Sequence, residues 1–301
     1  MSIQLITSNP NWSLENFQTW TQKTHDAILR TGINDASGSG SITYGSDSTA
    51  FETLVSPVAY DYSGYQVYKF ADALQSTHPV FIKIGYGAGT NVAYPGIHVT
   101  VGSTFNDTGS VSGPPVTQTD DMLASAAQND AVCQYMICGD TNRIIVTGPT
   151  WDLEAASKPD EMYFVSVERT KDANGDDTDE GILVAECHQA GTYYWYMMPY
   201  IGSTPLRETR WTAMVGLSLS GGTIGGRQVV SPLFPTHGVA PYPGKNILIT
   251  KDENFMDLDV IPIAIYGDTP NYYFKHPLGN TVEGFSSPAG SGQGVVLQRW
   301  D

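Results

Sequence analysis

The residues best able to do chemistry gather in one acidic stretch, Lys171-Asp172-Ala173-Asn174-Gly175-Asp176-Asp177-Thr178-Asp179-Glu180-Gly181. Asp172, Asn174 and Asp176 fall on the first, third and fifth ligand positions of a calcium-binding loop, where a hard cation collects clustered oxygens. The pattern then breaks. Asp177 stands where that loop needs glycine for its sharp turn, and Leu183 stands where it needs a bidentate glutamate. The flanks read as strands, so the stretch is predicted to be a solvated hairpin tip between strands at 162–170 and 181–188. The six histidines, His25, His78, His98, His188, His237 and His276, show no HExxH or other zinc-ligand spacing. Cys187 and His188 are adjacent on an expected strand, so they face opposite sides and cannot share a metal through one face.

Other chemistries fare no better. There is no G-x-S-x-G elbow to present a nucleophilic serine. Carboxylates are plentiful enough for a glycosidase pair, but nothing selects which two. Gly85-Tyr86-Gly87-Ala88-Gly89 lacks the dinucleotide spacing, and Gly221-Gly222-Thr223-Ile224-Gly225-Gly226-Arg227 lacks the Lys-Ser/Thr of a phosphate loop. Both are predicted to be hairpin turns. Tyr193-Tyr194-Trp195-Tyr196 alternates across a strand, one face for the core and the other able to stack on sugars or a partner. The residues therefore assign no catalytic, cofactor-binding or metal-binding side chain, and the expectation is a protein that is not an enzyme and needs no cofactor.

The elements that would carry these residues are mostly strands. One helix is predicted over 13–31: Ser13 can cap it, with Trp12 and Phe17 as a hydrophobic staple. Leu14, Phe17, Trp20, Thr24, Ile28 and Leu29 recur at threes and fours, Arg30 suits the last turn, and Gly32 follows as the stop. This stripe is expected to lie over a sheet containing Val80, Ile82 and Ile84 and the odd positions of Ile97–Val101. Residues 70–75 suggest either a short helix or a helical turn, and residues 120–128 a short helix. Further strands are expected at 132–138, 143–147, 162–170, 181–188, 193–200, 211–219, 247–251 and 260–266, with a terminal strand from Val295 that ends at Trp300. The stretch 279–294 reads as mobile. Gly109, Gly113, Pro114 and Pro115 mark a boundary. The fold class that follows is mainly β with an N-terminal α-helix, an antiparallel β-sandwich or barrel with β-rich subdomains at 1–113 and 114–301.

Composition fits that class. With 31 glycines and 18 prolines among 301 residues, the chain suits many short strands joined by turns. Only 15% of residues are charged, below the usual ~25%, while 17 tyrosines help to raise the aromatic share, the reverse of a disordered chain. A net charge of −16 repels a phosphate backbone, so direct nucleic-acid binding is not expected. No run approaches the ~18 apolar residues of a membrane span. The N-terminus lacks the basic and apolar regions of a secretory signal, so the two Asn-X-Ser/Thr sites, at Asn11 and Asn106, are expected to be chance matches. Cys133 and Cys138, if on one strand rising ~3.3 Å per residue, lie roughly 16 Å apart, beyond disulfide reach. With Cys187 they are expected to be buried free thiols.

Two stretches carry a resemblance. The first is His25-Asp26-Ala27-Ile28-Leu29-Arg30-Thr31-Gly32, followed by a Ser/Gly-rich segment. The second is Gly64-Tyr65-Gln66-Val67-Tyr68-Lys69-Phe70-Ala71-Asp72-Ala73-Leu74-Gln75, continuing through His78-Pro79-Val80-Phe81-Ile82-Lys83-Ile84-Gly85-Tyr86-Gly87 to Pro95-Gly96-Ile97-His98-Val99-Thr100-Val101-Gly102. Together they resemble a family of tailed-bacteriophage virion structural proteins over roughly residues 10 to 113. Gly85 stands where that family often has an acid. The resemblance implies a virion structural component without saying whether it belongs to head, neck or tail; the expectation is tail, baseplate or fibre attachment first, and a head-surface or decoration role next. It transfers no catalytic residue. It implies that the partners are copies of the chain and other virion proteins, with assembly in the host cytoplasm. A polysaccharide-binding or polysaccharide-cleaving receptor protein, meeting a host surface glycan, is the alternative.

Overall fold

A computed structural model describes residues 2–8, 14–36, 62–88, 95–106, 110–112, 117–118, 123–124, 133–149, 162–171, 176–189, 192–199, 223–224, 227–228, 230–233, 236–237, 240–241, 244–250, 260–263, 271–275, 286–287, 290–291 and 295–299. In chain order the main elements are β1 (Ser2–Ser8), α1 (Leu14–Arg30), β2 (Asn34–Asp35), β3 (Tyr62–Lys69), β4 (Phe81–Ala88), β5 (Pro95–Gly102), β6 (Cys133–Asp140), β7 (Arg143–Pro149) and β8 (Met162–Lys171). They continue with β9 (Asp177–Gln189), β10 (Thr192–Pro199), β11 (Val230–Leu233), β12 (Gly244–Thr250), β13 (Val260–Ile263), β14 (Asn271–Lys275) and β15 (Val295–Arg299). All pairings are antiparallel, and no sheet closes into a barrel among the described residues.

Helix α1 forms where its apolar periodicity predicts, with Glu15 in its first turn and Arg30 in its last, each complementing the helix dipole. Its buried positions, Trp20, Thr21, Thr24, His25, Ala27 and Ile28, with Thr31 just beyond its end, form one face, while Gln18, Thr19, Gln22, Lys23 and Arg30 are exposed. Threonines on a buried face need partners for their hydroxyls. Thr24 Oγ1 donates to the Trp20 carbonyl at 2.8 Å, and Thr31 Oγ1 to that of Ile28 at 2.6 Å. The helix stops at Gly32, whose φ of 108° side chains rarely tolerate and whose N–H donates back to the Leu29 carbonyl at 3.2 Å. Trp12 and Ser13 lie outside the described residues, as do the side chains of Leu14 and Phe17.

The first sheet runs β2-β3-β4-β5. Register places Tyr68, Ile82, Ile84, Tyr86, Ile97, Val99 and Val101 on one buried face, as the alternation predicts. Trp20 meets Tyr86 edge to face on this surface, with ring centroids 5.5 Å apart. Between β3 and β4 the expected helical turn is a short 3-10 segment, Ala73–Ser76. On the other face, Thr104–Phe105 and Val111–Ser112 pair as a small hairpin that folds back over β5. Phe105 stacks on Phe81 at 5.8 Å, and a Cβ on Gly102 would lie 2.5 Å from the Ser112 carbonyl oxygen, so only glycine fits there.

Two local expectations are corrected here. Gly85, Tyr86, Gly87 and Ala88 do not make a turn; they extend β4, with Gly85 opposite His98 and Gly87 opposite Gly96. Pairing with β5 on one side and β3 on the other, not the local preference of glycine for turns, decides the conformation of these glycines. Within the helix expected at 120–128, Leu123–Ala124 is a strand that pairs with Gly96 and Ile97 on β5. There the unpaired groups of an edge strand outweigh local helix propensity. The rest of that stretch lies outside the described residues.

The second sheet runs β1-β6-β7-β8-β9-β10, so the first strand of the chain closes a sheet otherwise made from its middle. Its middle is buried on both faces: Met136 to Gly139, Arg143 to Val146 and Ser166 to Arg169 are all buried, while Gln4 and Asp140 are half-buried and Asp177 is exposed. Ile137, Ile144, Val146 and Val167 share a single core with α1 and the first sheet, drawn from both sides of residue 113. Met136, Cys138 and Ile145 fill the opposite face, and Cys138 is a free buried thiol, as expected.

A third sheet runs β11-β12-β15-β14-β13. The terminal strand β15 is pinned between β12 and β14, so sheet pairing within the chain holds it. Thr223–Ile224 and Arg227–Gln228 pair around Gly225 and Gly226, the hairpin expected there. Within the stretch expected to be mobile, Ser286–Ser287 pairs with Gly290–Ser291. The strand expected at 211–219, and Trp300, lie outside the described residues.

Candidate functional site

The chemistry-bearing side chains that the fold brings together lie inside, at the seam where α1 and the two larger sheets meet. Arg169 projects from β8 on the face that joins the shared core. Its guanidinium forks onto the Asp72 carboxylate through Nε and Nη2, and Nη2 also donates to the His78 carbonyl at 3.0 Å. The ion lies over the Phe70 ring, 5.3 Å from its centroid. One buried cation thus holds the whole turn between β3 and β4. Nearby, the Ala71 N–H donates to the Thr141 carbonyl in the β6–β7 turn.

The same turn is organised from within. Gln75 Oε1 accepts the Val80 N–H at 2.9 Å, fixing the entry into β4, and the Leu74 carbonyl accepts from the N–H groups of Thr77 and His78. Phe70, Asp72 and Gln75, which carry much of the phage-family resemblance, therefore each have a packing or bonding role in this fold.

A second buried group joins helix to sheet. His25 Nδ1 and the Tyr68 hydroxyl share a hydrogen bond of 3.0 Å, with both residues fully buried. Burial pushes the Tyr68 phenol well above its ordinary pKa, and the neighbouring Tyr86, Asp35 and Asp26 push it further. The phenol stays neutral at physiological pH and serves as a hydrogen-bonding strut. On the rim of this sheet Gln66 donates through Nε2 to the Asp35 carboxylate, tying β3 to β2.

A third cluster occupies the opposite face of the second sheet, called central because its strands come mainly from the middle of the chain. Arg143 is buried and donates through Nη2 to Asp140, three residues earlier across the β6–β7 turn. Glu168, also buried, stands directly opposite Arg143 in the ladder. Arg143 Nε and Nη1, with Ser166 Oγ, are buried without a hydrogen-bond partner. The Arg143–Asp140 ion pair ties the start of β7 to the end of β6.

The described part of the acidic stretch lies between and within β8 and β9: Lys171 ends β8, and Asp177 to Gly181, expected in the tip, already belong to β9, with Lys171 opposite Asp177 and a register shift just before it. Asp176 and Asp177 are exposed, and Asp177 Oδ2 accepts from Asn142 Nδ2 at 2.6 Å. Asp172 and Asn174 lie outside the described residues. Among the described residues, no three His, Cys, Asp or Glu side chains are placed to hold a metal. Cys187 and His188 are consecutive in β9, and Tyr193 to Tyr196 lie in β10, which ends its sheet. Sequence reasoning passed over Arg169, Asp72, Arg143 and Glu168. No local pattern links residues 97 positions apart, and a lone arginine in a strand carries no mark of burial.

No family model, curated protein or solved structure matches this chain. No helix among the described residues is long and apolar enough to cross a membrane.

Proposed function

We propose that this chain is a non-enzymatic structural component of a tailed-phage virion, in the tail, baseplate or fibre-attachment region. The observation that carries the reading is the use made of residues 64–102, the segment behind the family resemblance. Tyr68, Phe70, Val80, Ile82, Ile84, Val99 and Val101 are buried, and Asp72 and Gln75 hold the intervening turn. This segment acts as the packing centre of a scaffold. Low charge with abundant Gly, Ser, Thr and Tyr also suits extended polar interfaces between subunits. The partners on this reading are copies of the chain and other virion proteins.

The test is the solution behaviour of the purified chain, by light scattering and by binding to dissociated particle proteins. The reading expects a defined oligomer or a stable complex. A strict monomer that binds none of those proteins and instead binds or cleaves a host polysaccharide would replace it with the receptor alternative.

A further inference from the structure

We draw no further inference here: the strongest candidate, the buried cluster of Arg143, Ser166 and Glu168 on the opposite face of the second sheet, belongs to the internal packing already described, and nothing in the structure shows a ligand that it would take.

Discussion

Arg169 costs desolvation to bury and repays it only through geometry, because an arginine fork matches a carboxylate with two parallel hydrogen bonds. Its partner Asp72 has a side chain only 12% exposed, so removing the cation strands a buried negative charge. Arg169→Met is expected to cost about 3–5 kcal/mol of stability, and Arg169→Lys to recover only part of it, since lysine cannot fork. Urea unfolding of both variants checks this, and full stability in Arg169→Met would refute the brace. Tyr68 gives a pH signature. Its folded pKa is raised above the ordinary 10.0, so the folded state holds that proton more tightly. Its contribution is present in full below pH 10.0 and is lost as pH rises through the folded-state value. Relative to Tyr68→Phe, the wild type should lose stability between pH 10.0 and the folded-state value by up to about 1.4 kcal/mol per pH unit. Parallel stability curves for the two proteins across the alkaline range would contradict the buried strut.

At the scale of elements, α1 is the piece whose docking the structure specifies most fully. Trp20 is buried against Tyr86, so Trp20→Ala should cost about 3–5 kcal/mol as a core truncation and lower the melting temperature of the isolated chain. If isolated stability held while assembly failed, the helix would be an interface element. The β8–β9 tip makes the opposite kind of prediction. Departing from a calcium loop at Asp177 and Leu183, it is expected to need no metal, so a chelator should leave the melting temperature unchanged. A drop reversed by Ca²⁺ would make the tip a binding loop, since a ligand held only by the folded state stabilises it. Legibility differed among the elements for physical reasons. Helix α1 and the faces of β4 and β5 announce themselves because one side is buried and the other is not. The strands of the central sheet were also readable as strands, but their burial on both faces was not: Met136-Ile137-Cys138 and Ile144-Ile145-Val146 show continuous apolar runs, which mark a doubly covered sheet only in retrospect. Strand β1 was missed because its pairing lies over a hundred residues away on β6, and Leu123–Ala124 because an open edge, not its own sequence, made it a strand.

For the molecule as a whole, the core joins α1, the first sheet and the second, while β15 from the end of the chain sits inside the third. Segments far apart in sequence are therefore committed to one another within the shared core. The edges of the third sheet bear on strand addition. At β13 the outer edge carries Pro262, which lacks an N–H, beside exposed Val260 and opposite exposed Tyr272. Proline on an edge strand weakens indiscriminate strand addition. The most direct measurement of the central claim is imaging of purified particles at side-chain resolution, with mass spectrometry of the same preparation. The account predicts peptides of this chain in stoichiometric amounts, and repeated density in which α1 packs on β3–β5 with Arg169 reaching Asp72. Particles without this chain, from cells in which it is abundantly made, would contradict it.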